Sequence, residues 1–86
     1  MNASGLVTRH IDRALAFMSA KHGVEITRDD IEGRSRNWLI SHARKRIAAS
    51  IYKTGALSQT EIGNVLGGRD HSTVHYMIET AGEVIA

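Results

Sequence analysis

The sequence predicts an all-α fold, one small helical domain over residues 1–86 that ends in a helix-turn-helix. Three observations carry this. Apolar residues recur three and four positions apart along most of the chain, which is the period of one helix face rather than the alternation of a strand. Ser, Thr, Asp and Gly stand between the periodic stretches, where helices start and stop, while proline is absent. Near the C-terminus a short helical stretch meets a longer one across Gly67-Gly68, the pattern of two helices joined by a tight glycine turn. The 86 residues support one core and not two.

Each element has its own signals. Val7, Ile11, Ala14, Leu15 and Met18 mark a first helix from about residue 4 to 21, with Asn2 or Ser4 to cap it and Gly23 to end it. Thr27, three residues before Asp30, offers a capping box for a single short helical turn that Gly33 stops. A basic loop follows, Gly33-Arg34-Ser35-Arg36. Leu39, Ile40, Ala43, Ile47 and Ile51 form the apolar stripe of the longest helix, with Arg44 and Lys45 mostly off it and Gly55 as its terminator. Ser58 and Glu61 form a second capping box, opening a helix of about two turns through Ile62, Val65 and Leu66. Asp70 then caps a last helix carrying Val74, Met77, Ile78, Ala81 and Ile85, expected to fray beyond Gly82.

Composition narrows the function. With 42% hydrophobic residues but one Trp, two Tyr and one Phe, the core is expected to be aliphatic, with Trp38 and Tyr52 at its edges. No cysteine is present, which excludes disulfides and thiolate metal sites and fits a reducing cytoplasm. No apolar run reaches the roughly 20 residues of a membrane span, and no signal-peptide core is visible, so a soluble cytoplasmic protein without a membrane partner is expected. The formal charge is only +2. Its distribution says more, because Arg34, Arg36, Arg44, Lys45, Arg46, Lys53 and Arg69 share the segment 34–69 with one acid, Glu61. Clustered cations are the footprint of a polyanion, or else a solvated face.

In a helix-turn-helix the second helix enters the major groove with its N-terminal residues at the base edges. With Val74, Met77, Ile78 and Ala81 facing inward, His71, Ser72, Thr73 and His75 bring imidazoles and hydroxyls to that end. Such groups bond to bases or phosphates, a threonine methyl meets thymine, and an aspartate such as Asp70 accepts from cytosine N4.

Residues 62–74, Ile-Gly-Asn-Val-Leu-Gly-Gly-Arg-Asp-His-Ser-Thr-Val, resemble the signature of the C-terminal DNA-binding domain (domain IV) of the DnaA family of bacterial replication initiators, approximately I-G-x-x-F-G-G-R-D-H-[ST]-T-V. Leu66 stands where the family usually has Phe. The likeness continues less tightly through Arg34-Ser35-Arg36 and Ala43-Arg44-Lys45-Arg46-Ile47, spanning roughly residues 7 to 81. It implies a Trp-repressor-like helical domain that reads a short duplex site, the DnaA box, as a monomer, in replication or transcription regulation. It further implies that Asp70, His71, Ser72 and Thr73 approach bases in the major groove and that Arg34 or Arg36 enters the minor groove. Arg69, the cluster Arg44, Lys45 and Arg46, and Lys53 are then assigned to phosphates. Which member of the cluster matches the family arginine stays open, because the alignment needs a gap. Trp38, at the join of loop and helix, and His75, Tyr76 and Met77 depart from the family pattern.

The 86 residues contain no G-x-x-x-x-G-K-[ST] loop, so no nucleotide site, cofactor or ATPase activity is expected. The Met1 start favours a free-standing box reader over an excised domain. Two other readings compete. One is a protein-interaction module that kept the fold and lost DNA; a variant keeps DNA and adds self-association through the first helix, if Phe17 and Met18 are exposed rather than packed. The other is a metal site or enzyme, because His71 and His75 lie four apart beside Asp70. No third ligand and no H-E-x-x-H glutamate accompany them, so neither metal nor catalysis is expected. His10, His22 and His42 read as isolated surface or half-buried residues.

Overall fold

The computed structural model describes residues 3–85. It contains α1 (Ala3–His22), α2 (Arg28–Glu32), α3 (Trp38–Thr54), α4 (Gln59–Val65) and α5 (His71–Ile85), and no strand among the described residues. The all-α expectation holds, and most boundaries fall within a residue or two of the sequence signals. Both capping boxes form: Thr27 and Asp30 at α2 exchange side-chain bonds with each other's backbone N–H, as Ser58 and Glu61 do at α4. Asn37, not singled out from the sequence, caps α3 by accepting from the Leu39 N–H at 2.9 Å. Gly55 ends α3 in the left-handed conformation, φ 74°. At α1, Ser4 falls inside the helix, while Asn2 lies outside the described residues. Contrary to expectation, α5 continues through Gly82 to Ile85; a helical glycine costs about 1 kcal/mol and does not by itself break a helix.

The helices bury the apolar stripes that the spacing marked. Ile11 of α1, Ile31 of α2, Ile47 and Ile51 of α3, Ile62 and Leu66 of α4 and its end, and Val74 of α5 are essentially without solvent contact. Each such side chain contributes about 1.5–3 kcal/mol of burial. Met18 and Met77 join this core, and Ala14, Ile40, Val65 and Ile78 pack against it from the rim; the Ile85 side chain lies outside the described ones. α3 is the central rod, touching α1, α2, α4 and α5.

The aromatic expectations change. Trp38 is 61% and Tyr52 45% exposed, and Phe17 is half exposed although its neighbour Met18 is buried. Phe17 stands one position off the Val7–Ile11–Leu15–Met18 stripe, which turns its ring about 100° away from the core. Trp38 opens α3 one position before the buried Leu39, which turns its ring off the apolar stripe.

Two glycines are required by close approach. A Cβ on Gly63 would overlap the backbone carbonyl oxygen of Arg69, and one on Gly67 would overlap that of Glu32, at a φ of 87° besides. Gly63 also offers its own carbonyl to the N–H groups of Gly68 and Arg69, both at 2.9 Å. The turn from α4 to α5 therefore crosses directly over α4 and rests against the end of α2.

A candidate nucleic-acid interface

Arg44 and Arg69 determine the site's shape. Arg44 is 7% exposed, although its sequence position suggested the polar face of α3. Its Nε donates to the Ile31 carbonyl at 2.8 Å, Nη1 to Ser35 at 2.8 Å, and Nη2 to Asp30 and Gly33 at 3.1 and 3.0 Å. Arg69 reaches the same loop from the other side, with Nη2 on the Gly33 carbonyl at 2.6 Å and Nη1 on the carbonyls of Leu66 and Ile31. Five backbone carbonyls, those of residues 30, 31, 33, 35 and 66, thus receive two planar forks. Burial, followed by the Arg69 and Arg34 charges, pushes the Arg44 guanidinium down from its ordinary pKa, with Asp30 pulling it partly back. Arg69 is lowered by burial and then by Arg34. Both start so high that they remain charged.

The structure gives Arg44 and Arg69, the phosphate candidates of the sequence, a part inside the protein. Their donors are directed at carbonyls of their own chain, and Arg44 has almost no surface to offer. What they produce is a pinned loop, residues 33–37, carrying the exposed Arg34 and Arg36 beside the entrance of α5.

At that entrance Asp70 accepts the Thr73 N–H at 2.9 Å. Bonds from the Thr73 backbone chiefly, and then from the Thr73 side chain, the Ser72 backbone and the His71 charge, hold its carboxyl below the ordinary value against a smaller opposing desolvation. Asp70, expected at a base edge, is first of all the cap of α5. His71, Ser72, Thr73, His75 and Tyr76 are all exposed, so the helix presents a polar first turn and a half.

Further along, His75 Nε2 lies 3.0 Å from Glu79 and its Nδ1 lies 3.3 Å from Gln59 of α4. The Nε2–H tautomer satisfies both neighbours. Glu79 places an exposed carboxylate on the same face one turn on. Met77, a departure from the family pattern, is buried and does not reach this surface.

The remaining cations divide between two faces of α3. Lys45 lies 5.3 Å from the Tyr76 ring centre and so borders α5. Arg46 lies instead over Phe17 of α1, its guanidinium 4.6 Å from the ring centre, and Lys53, seven residues later, falls on nearly the same face as Arg46. Of the four α3 residues assigned to phosphate, only Lys45 stands beside α5. Sequence reasoning missed Tyr76 and Gln59 as members of this surface; Tyr76 was visible as a large side chain off the apolar stripe. It also missed the edge-on packing of His22 and His42 on Trp38, with ring centres at 5.9 and 5.0 Å. Burial, then Lys45 and His22, lowers the His42 pKa.

The family model for the bacterial dnaA protein helix-turn-helix matches residues 20–80. The chain belongs to that family. It is a DNA-binding helix-turn-helix of the DnaA type, and the match encloses α2 to α4 and most of α5, including both arginine forks. Among relatives, the chromosomal replication initiator protein DnaA of Borreliella burgdorferi is 44% identical over 55 residues. Those of Borrelia turicatae and Borrelia hermsii are 42% identical over the same length. In each case the alignment covers 64% of this chain and 11% of the relative, so the chain corresponds to a small part of these initiators. No solved structure matches it. No helix among the described residues is long and apolar enough to cross a membrane.

Proposed function

We propose that residues 1–86 act as one domain that binds double-stranded DNA sequence-specifically, at a site related to the DnaA box, as a monomer and without nucleotide. His71, Ser72 and Thr73 read base edges in the major groove, with Asp70 holding their turn in place. Arg34 or Arg36 enters the adjacent minor groove, where a narrow A·T-rich segment concentrates negative potential. Lys45 and the other loop arginine sit at phosphates. The observation that carries this reading is the double arginine fork. A buried Arg44 and a half-buried Arg69 direct their forks at carbonyls of the chain itself, and what they hold is the loop that carries the two exposed arginines, tied to the turn just before α5.

Where a resident initiator shares the site, occupancy alone displaces it, because base and groove contacts need no ATP. The deciding experiment is selection of bound duplexes from a random pool. It should enrich a motif of about nine base pairs with an A·T-rich flank. Trp38, the single tryptophan, follows the loop directly, so its fluorescence should change in step with binding to the enriched duplex. Equal retention of all duplexes, with no enriched motif, would show that recognition is of the phosphate backbone only.

A further inference from the structure

A second surface lies on the other side of α3. His10, Arg13, Ala14 and Phe17 of α1 and Arg46 and Ser50 of α3 line a groove of about 340 Å³. One end is tied by a hydrogen bond of 2.5 Å between His10 Nε2 and Ser50 Oγ. Phe17 is half exposed in it, with the Arg46 guanidinium over its ring. The ion pairs among the described residues are Arg28–Glu32 and His75–Glu79, so neither Arg13 nor Arg46 has a carboxylate partner there. An exposed aromatic ring flanked by two unneutralised guanidiniums is a small apolar anchor site with a cationic rim.

We propose that this groove docks an acidic protein segment that carries an apolar side chain, which packs on Phe17 and Ala14 while its carboxylates pair with Arg13 and Arg46. Charge complementarity selects the occupant. Arginine forks match carboxylates in bidentate geometry and stack on aromatic rings, which is how Arg46 is already preorganised. A second copy docking through the same face would set Arg13 and Arg46 against their own counterparts across a two-fold axis. A duplex fits poorly as well, because it offers Phe17 no unstacked base, and Lys45 and Arg46 face α5 and α1 respectively. The groove lies between α1 and the α1-facing side of α3, whereas Lys45 marks the side of α3 that borders α5, so this surface is separate from the proposed DNA reading and does not rest on it.

The probe is a synthetic peptide of Glu and Asp residues around one central Phe, titrated into isotope-labelled protein while backbone amide shifts are followed. Saturable shifts should cluster around Arg13, Phe17, Arg46 and Ser50. Replacing the peptide's Phe by Ala should weaken binding several-fold, and Arg46→Glu by about tenfold or more. A peptide with Lys in place of its acids should bind the double variant Arg13→Glu, Arg46→Glu better than it binds the unaltered protein. Arg46→Gln should leave affinity for the enriched duplex within about twofold. Shifts concentrated at Arg34, Arg36 and the start of α5 would mean that the peptide merely imitates DNA, and would overturn the proposal. So would the absence of saturation, a groove that shifts with duplex instead, or shifts and sedimentation that change with protein concentration alone, the mark of self-association.

Discussion

Arg34 and Arg36 are exposed on the loop that Arg44 and Arg69 hold by its carbonyls, and the contrast between these pairs organises the molecule. Arg44 and Arg69 direct their forks at five carbonyls of the chain itself, whereas Arg34 and Arg36 are exposed and have no hydrogen-bond or ion-pair partner among the described residues. The residue type is the same, and the difference is what surrounds it. α2 ends at Glu32, with the Gly33 N–H closing on Asp29, and residues 34–36 lie outside any helix, so the carbonyls of this stretch need donors from elsewhere. Arginine suits this task because its donors are spread over a rigid plane and its charge persists when desolvated. Positive charge in the sequence therefore marks two different things here, a scaffold and a contact surface.

The sharpest way to break the comparison is Arg44→Ala. It leaves buried carbonyls unpaired and should cost about 3 kcal/mol of stability, a fall in Tm of roughly 15 °C for a domain of this size, readable by thermal denaturation. Arg44→Lys should recover little of this, because an ammonium cannot span four carbonyls arranged for a fork. If Arg44→Ala melts like the unaltered protein yet binds DNA weakly, the two arginine pairs do not differ as described.

Arg34→Ala and Arg36→Ala should leave Tm within about 1 °C, being surface changes, while weakening the enriched duplex by about 2 kcal/mol for whichever residue enters the minor groove. Replacement by Lys separates the two: the groove-inserted arginine should still lose affinity, and the one at phosphate should lose little.

How much of this was legible without the structure follows from how local each interaction is. The capping boxes and the Gly55 terminator span three residues or so, and the sequence showed them. The burial of Arg44 depends on carbonyls 9 to 14 residues away, and that of Arg69 on carbonyls up to 38 away. No periodicity encodes such a contact, and an arginine one position from an apolar stripe reads as solvated. Gly63 was placed by its match to the family signature, and the crossing of the turn over α4 is the physical reason for it. The polar first turn of α5 was legible because Asp70 and the apolar spacing after it fix which residues stay outside.

Smaller effects sharpen the contact surface. Thr73→Ala and His71→Ala should each relax base preference at one or two positions, by about 1 kcal/mol, when selection is repeated with the variants. Lys45→Ala should instead weaken all duplexes alike and lower the slope of log affinity against log salt by about one.

The smallest effect is one of pH. The Asp70 carboxyl, ordinarily at 3.8, and that of Glu61, ordinarily at 4.5, are both depressed in the folded chain by their capping bonds. Their contribution is complete above those ordinary values and is lost as pH falls through the lower, folded ones. Acid titration of stability should therefore show a loss that begins below these ordinary values, and Asp70→Asn should flatten part of that limb without shifting the melting point near neutrality appreciably.

The contact between Gly67 and the Glu32 carbonyl, together with the Arg69 fork on Gly33, has a geometric consequence for any duplex the chain reads. Loop and helix cannot slide past one another, so they act as a ruler of fixed length and angular phase. Each base pair inserted between the minor-groove step and the major-groove motif would advance one relative to the other by about 3.4 Å and turn it by roughly 35° about the duplex axis. A hinged reader would follow such an insertion. This one should keep one contact and forfeit the other, so spacing within its site should be as strict as the letters themselves.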